Sequence, residues 1–310
     1  MRTAAALSLT LFIAAPALAG PHDLTAEQAA TLASEMQDLE LRLVHAGDDN
    51  KQPLRYTPRT GADSRYTVTQ GLAMSQEMAG MPAQAMDFPP TIFTFTASVK
   101  DTPDNAPFTV VTTLDDARMG DGGNPMMRNM MGAAIASMKG MTTTDTVDTL
   151  GKTVDSRTDL PDGADPNAQD QIAQLESLLT RVQFPEQPVA PGAVWHTMRK
   201  QDAGGFEVSI ISTFTLEKIE GDTATLSADI HQVIPSQKMN NDNLPPGATA
   251  TIKDASGAGS ATMTVDLTTG ATVELDMTFN VEMDIDINMQ GQSMSTSQTV
   301  DMTMTAQPAP

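Results

Sequence analysis

The chain has 310 residues and a formal net charge of −21, with no cysteine, one tryptophan, two tyrosines and 22 methionines. Such acidity repels nucleic acid and anionic lipid headgroups, and the lack of thiols excludes disulfides and thiolate metal sites. With 4 % aromatic residues, methionine has to fill much of the apolar volume that rings usually occupy.

Arg2, the apolar run from Ala4 to Ala15 and then Pro16-Ala17-Leu18-Ala19 have the order of a charged n-region, an h-region and an A-x-A cleavage site. Residues 1–19 are therefore expected to be a signal peptide, cut near Ala19/Gly20, that delivers the protein to the periplasm. The run is shorter than the ~20 residues a membrane helix needs, and no later stretch is long and apolar enough to span as one. The mature protein is expected to carry no transmembrane span.

Residues 20–158 read as a β-rich half. Thr25 to Gln28 has the form of a capping box, and Ala29, Leu32, Ala33 and Met36 follow at helical spacing, which predicts a helix over 26–37. Leu39, Leu41 and Leu43 alternate as in a strand, although Leu32, Met36, Leu39 and Leu43 also fit one longer helix. His45 to Asn50 reads as a turn. Strands are predicted at 64–74, 91–100 and 107–114, with Met78 to Pro90 as a Met/Pro/Ala loop. Asp121-Gly122-Gly123-Asn124 breaks the sheet, and Pro125 opens a helix to about Lys139.

Residues 159–183 read as an acidic loop followed by a bridging helix. Asp165-Pro166 makes an N-cap and first turn, Ile172, Leu175, Leu179 and Val182 make a stripe, and Phe184-Pro185 ends it. From 184 to 306 the chain is more plainly β, with strands at 194–200, 206–219, 222–234, 260–267, 272–289 and 294–305 joined by tight turns. Consecutive strands of this kind imply an antiparallel meander, and 307–310 form a loose tail.

The clearest pattern lies in the fifth of these strands. Every odd-numbered residue from Val273 to Met289 is apolar, and every even-numbered residue between them is polar or acidic. That is a long strand with one dry and one wet face. The expected fold is thus mainly β with a few helices (α+β): a long antiparallel curved sheet or half-barrel with amphipathic helices on one face. Whether it forms one sheet or two related halves is open at this level.

Two stretches carry a resemblance. Leu54-Arg55-Tyr56-Thr57-Pro58-Arg59-Thr60-Gly61 with Tyr66, and Phe184 to Trp195 with Gly221-Asp222-Thr223-Ala224 and Asp266-Leu267-Thr268-Thr269-Gly270, resemble uncharacterised exported bacterial proteins built as β-rich double modules, a domain-of-unknown-function family. The resemblance implies no activity, so it transfers no functional residue. By architecture alone the pattern also resembles the half-barrels of periplasmic lipoprotein and lipid carriers, which is an analogy of fold.

Chemistry is sparse in the sequence. The four histidines, His22, His45, His196 and His231, are scattered, no G-x-S-x-G elbow occurs, and Gly151-Lys152-Thr153 lacks the first glycine of a phosphate loop. The acidic face Glu274, Asp276, Glu282, Asp284 and Asp286 lacks an EF-hand spacing and reads as a solvated guard against edge pairing. No cofactor is implied, and no enzyme is expected. Two site readings follow. In the first, Met277, Phe279, Val281, Met283 and Ile285 of the dry face, roofed by Met126 and Met130 of the predicted helix, hold a lipid or other lipophilic ligand, or an envelope protein. In the second, Met126, Met127, Met130 and Met131 bind Cu(I) through soft thioethers at i,i+3 and i,i+4 spacing. A structural or interaction module without ligand is the third alternative.

Overall fold

The computed structural model describes residues 24–36, 41–48, 50–78, 82–102, 107–161, 181–202, 206–239, 248–289 and 292–310. The expected signal peptide, most of the predicted bridging helix and the predicted turns at 203–205 and 290–291 lie outside them.

The elements in chain order are α1 (Ala26–Glu35), β1 (Leu41–Ala46), β2 (Asp63–Met78), β3 (Gln84–Asp87), β4 (Thr91–Asp101), β5 (Phe108–Met119), α2 (Pro125–Ser137), β6 (Thr142–Val147), β7 (Thr153–Asp159), β8 (Ala193–Asp202), β9 (Glu207–Glu220), β10 (Thr223–Val233), β11 (Gln237–Met239), β12 (Ala248–Asp266), β13 (Thr272–Met289) and β14 (Gln292–Pro308). The strands form one 14-stranded curved sheet in the order β1-β8-β9-β10-β12-β13-β14-β2-β4-β5-β6-β7, with β11 beside β12 and β3 beside β2. Each ladder is antiparallel, from β1 on β8 through β14 on β2 to β6 on β7. Among the described residues β1 and β7 end the strand order and no ladder joins them, so the sheet is a half-barrel rather than a closed one. Because β1 crosses to β8 and β2 pairs with β14, the two halves of the sequence share one sheet.

Alternation decides which face is dry. Along β13, Glu274, Asp276, Thr278, Glu282 and Asp284 are exposed, while Leu275, Met277, Phe279, Val281 and Met283 are wholly or partly buried. The acidic face is tied by cross-strand hydroxyls: Ser297 donates to Asp284, Ser295 to Asp286 and Thr264 to Glu274. Hydrogen bonds from Ser295 and Lys253 hold the half-buried Asp286 carboxyl below its usual range.

Strand β12 starts well before the predicted residue 260. Gly257-Ala258-Gly259-Ser260 has low strand propensity, but Gly259 lies directly opposite Phe279 and the ring covers both glycines. Phe279 supplies the packing surface that the glycines lack, so tertiary packing overrides local preference. Other departures are smaller. The predicted Met78–Pro90 loop contains β3, which places Met86 opposite Met74, and β1 continues through His45 and Ala46.

One end of the inner face is sealed by extended segments, not by a helix. Val182, read as the last residue of a helical stripe, lies in a non-helical stretch over 181–185 and is buried. The Tyr56 hydroxyl donates to the Val182 carbonyl at 2.9 Å, Trp195 Nε1 to the Gln183 carbonyl at 3.0 Å, and the Phe184 amide to the Leu150 carbonyl at 2.8 Å. Arg55 donates to the carbonyls of Leu54, Pro185 and Glu186, stapling together the two stretches that carry the resemblance. Rings link the halves, with Tyr56 at 4.8 Å from Phe184, Phe184 at 6.5 Å from Trp195 and Trp195 stacked at 5.6 Å on Phe214. Burial pushes the Tyr56 phenol well above its usual range, so it stays a donor.

The helices divide between the two faces. In α1 the capping box forms, with Gln28 N donating to Thr25 Oγ1 and Thr25 N to Gln28 Oε1, and Leu32 and Met36 pack on Met198 and Ile211. Those two sheet residues alternate with Trp195 and Phe214, so α1 lies on the outer face. In α2, Ile135 joins the main core with Phe108, Leu114 and Trp195, and the helix packs on β5 from the inner face. No described helix is long and apolar enough to cross a membrane.

The turn between β12 and β13 is built on Asp266, which accepts from Thr268 N, Thr268 Oγ1, Thr269 Oγ1 and, across the sheet, Ser64 Oγ. Gly270 closes it at φ 75°, a left-handed conformation that suits glycine. Burial opposes ionisation of Asp266, but these hydrogen bonds together outweigh it and hold the carboxyl below its usual range. Its stabilisation is thus present above the unfolded carboxyl pKa of about 3.9 and is lost as pH falls through the lower folded value. Urea unfolding from about pH 6 down to about pH 2 is expected to show a shallower acid-side loss of stability in Asp266→Asn than in the wild type. Parallel curves would mean that Asp266 does not contribute to acid unfolding.

Candidate ligand chamber on the inner face

Beyond the sealed end, the inner face holds two adjoining cavities. The first, about 150 Å³, lies between β2, β4, β6 and β14 and is lined by Tyr66, Phe95 and Met304 together with the polar Thr112, Thr143 and Ser156. The second, about 250 Å³, runs along β13 and β14 over Leu275, Met277, Phe279, Met302 and Met304. Arg181, Thr272, Leu275 and Met304 line both cavities and mark their junction.

The second cavity is two-sided for a topological reason. Its β12 to β14 wall presents the dry alternation, with Met263, Met277 and Phe279. The β8 to β10 wall turns the matching register inward and offers Thr197, Arg199, Gln201, Ser212 and Gln232 beside Ile210 and Ile230. Burial lowers the basicity of Arg199, which remains a cation at neutral pH. An apolar floor facing a polar and cationic wall is the surface that an amphipathic molecule fits.

At the junction Arg181 has a side chain only 6 % exposed, and its Nη1 donates to Asp145 Oδ2 at 2.6 Å. The other Asp145 oxygen accepts from Ser156 Oγ at 2.7 Å. Arg181 Nε is buried and makes no hydrogen bond.

The residues expected from the sequence are distributed unevenly around this site. Met277 and Phe279 line the second cavity. Val281 and Met283 lie further along the same face, packed against a separate cluster of Val208, Ile234, Ile252 and Ala255, and the half-buried Ile285 stands opposite Ile252. Met126 and Met130 do not roof the chamber. They are 77 % and 69 % exposed on α2, whose buried contacts are made by Ile135. Met127 and Met131 are half-buried, so the four thioethers divide between two environments.

Several lining residues gave no sequence signal. Arg181 sits in what reads as the polar side of a helix, and Asp145 is 36 residues away. Met302 and Met304 were legible only as the dry side of the last hairpin.

The described histidines sit apart from the chamber. His196 lies on the outer face near Glu27 and Glu35 of α1, with Nδ1 3.0 Å from Thr213 Oγ1, and His45 Nδ1 accepts from the Gly47 amide. His231 faces outward opposite Ile211, and His22 lies outside the described residues. Among the described residues no group of three His, Cys, Asp or Glu side chains is placed to hold a metal ion.

Fold and site together define a class: an open antiparallel half-barrel with an amphipathic chamber on its inner face. Residues 167–272 are similar to a family of unknown function (DUF6263), a match covering less than half of the chain. It takes in the sealing segment at Phe184 and strands β8 to β12, which form the polar wall of the chamber and part of its floor. No curated protein matches the chain.

Proposed function

We propose that the protein is an exported, non-enzymatic envelope component that holds a lipophilic ligand on the inner face of its half-barrel. The observation that carries this reading is the second cavity, where the dry face of β13 is left open at Leu275, Met277 and Phe279 instead of being packed solid. Unbranched methionines on that floor suit a flexible chain of variable shape. The leader-like residues 1–19 support export to the periplasm.

Native mass spectrometry of protein prepared gently from the source periplasm tests the proposal. A retained mass of lipid size is expected, and Met277→Asp, which puts a carboxylate on the chamber floor, is expected to lose it while folding normally. A bare polypeptide mass, with no uptake of a neutral apolar dye, would favour a structural or interaction module instead. Met126 and Met130, exposed one helical turn apart, support Cu(I) capture as a second reading. Its mark is a copper-sized increment that disappears when Met126, Met127, Met130 and Met131 are changed to leucine.

A further inference from the structure

Resting on the lipophilic-ligand reading, we propose that the ligand is a single-chain carboxylate amphiphile of the fatty-acid class, whose head pairs with the Arg199 guanidinium on the polar wall of the second cavity. The first observation is the sidedness of charge. The chain carries 39 acidic residues, yet none of the described residues that line the second cavity is Asp or Glu, whereas Arg181 and Arg199 both line it. The acids of β13 stand on the opposite face of the sheet, where Glu274, Asp276, Glu282 and Asp284 are exposed. Arg181 is committed to Asp145 at 2.6 Å, so Arg199 is the cation that the wall presents to a ligand.

The second observation is access. Arg199 is half-buried and lines the cavity directly, and the five N–H donors of a guanidinium let it keep its contact within the protein and still take a carboxylate. Around it the ladders bring further donors to the same wall. Arg199 is opposite Ile210, which is opposite Gln232, and the neighbouring inward pair is Thr197 with Ser212. The side chains of Thr197, Gln201, Ser212 and Gln232 are half-buried and make no hydrogen bond among the described residues, so their amides and hydroxyls are open to a head group.

The third observation is the floor across from them. Met277, Phe279, Met302 and Met304 offer apolar surface to a chain, and about 250 Å³ is below the ~300–1,000 Å³ usual for sites that enclose a drug-sized ligand, which leaves room for one acyl chain and not for the pair of a phospholipid. A carboxylate brings one negative charge to one arginine. A phosphate monoester brings about −1.5 to −2 and would leave part of it unmatched in a site partly closed to water.

Displacement of the neutral dye N-phenyl-1-naphthylamine from the full chain at about pH 8, where a carboxylate is ionised, tests the assignment with four competitors that share one chain: dodecanoate, 1-dodecanol, dodecyl phosphate and dodecyltrimethylammonium. Dodecanoate is expected to displace the dye at about tenfold lower concentration than the others. That order runs against both hydrophobicity, which favours the alcohol, and the net charge of −21, which favours the ammonium ion. In Arg199→Met, dye uptake is expected to persist while dodecanoate falls about tenfold and dodecanol keeps its place. A dodecanoate preference that survives this substitution overturns the role of Arg199. Equal displacement by dodecanoate and dodecanol, or better displacement by the phosphate or the ammonium ion, overturns the proposal even if the variant does not fold, because these comparisons use the wild type. Dye uptake with no carboxylate preference leaves the lipophilic chamber standing without this ligand. Failure of the wild type to take up dye removes the chamber reading and this inference together.

Discussion

Asp145→Leu is expected to destabilise the protein by about 3–5 kcal/mol, because it leaves the buried Arg181 charge without its partner. Arg181→Met should cost less, since the Asp145 side chain is 14 % exposed against 6 % for Arg181 and keeps its bond from Ser156. The double variant is expected within about 1–2 kcal/mol of the wild type, because exchanging a whole buried pair for apolar side chains removes the desolvation penalty along with the attraction. Urea unfolding reads all three variants. Trp195, the sole tryptophan, is fully buried beside the segment that leads from Arg181, so its emission reports on this region. Additive losses in the double variant would mean that the pair does not act as a unit and that Arg181 is held by other contacts.

The parts of this fold that were legible in the sequence are those whose cause is local. The alternation of β13 needs only the period of a strand, and the capping box of α1 is a contact between residues three apart; both appear in the structure as the sequence implies. The antiparallel meander follows from tight turns such as Thr268-Thr269-Gly270. What was not legible depends on residues distant along the chain. Gly257 to Ser260 form a strand because a ring from β13 covers them. Val182 leaves the helical pattern because Tyr56, itself 126 residues away, bonds its carbonyl. The candidate site divides in the same way. Its floor at Met277 and Phe279 belongs to one periodic strand, whereas Arg181, Asp145 and the inward polar residues of β8 to β10 meet only once the sheet has curved. The Met-rich helix drew attention through composition, yet composition does not say which turn of a helix faces the sheet, and Met126 and Met130 face away from it.

The Phe279 ring packs on two glycines of β12 that tolerate a side chain to different degrees. A Cβ at Gly257 would meet the ring edge first, at 2.8 Å from Cζ and 3.0 Å from Cε1, and both belong to a side chain that can be shortened. A Cβ at Gly259 would lie 2.3 Å from the Thr278 carbonyl oxygen as well as 2.4 Å from Phe279 Cδ2, and the carbonyl belongs to a β13 backbone that cannot retreat without breaking its ladder. Both alanine substitutions are expected to destabilise the protein, Gly257→Ala by about 1–2 kcal/mol and Gly259→Ala by about 3 kcal/mol. In double-mutant cycles with Phe279→Leu, the cost at Gly257 is expected to be largely relieved, while Gly259→Ala keeps most of its cost. Equal relief at both positions would show that the ring alone dictates the glycines and that the backbone contact is soft. The pair also separates packing from binding. Gly257→Ala pushes the ring edge off β12 and presses on Gln232 Cβ at 3.1 Å, and Phe279 and Gln232 both line the second cavity, so this substitution should reduce apolar dye uptake more than its modest effect on stability would suggest.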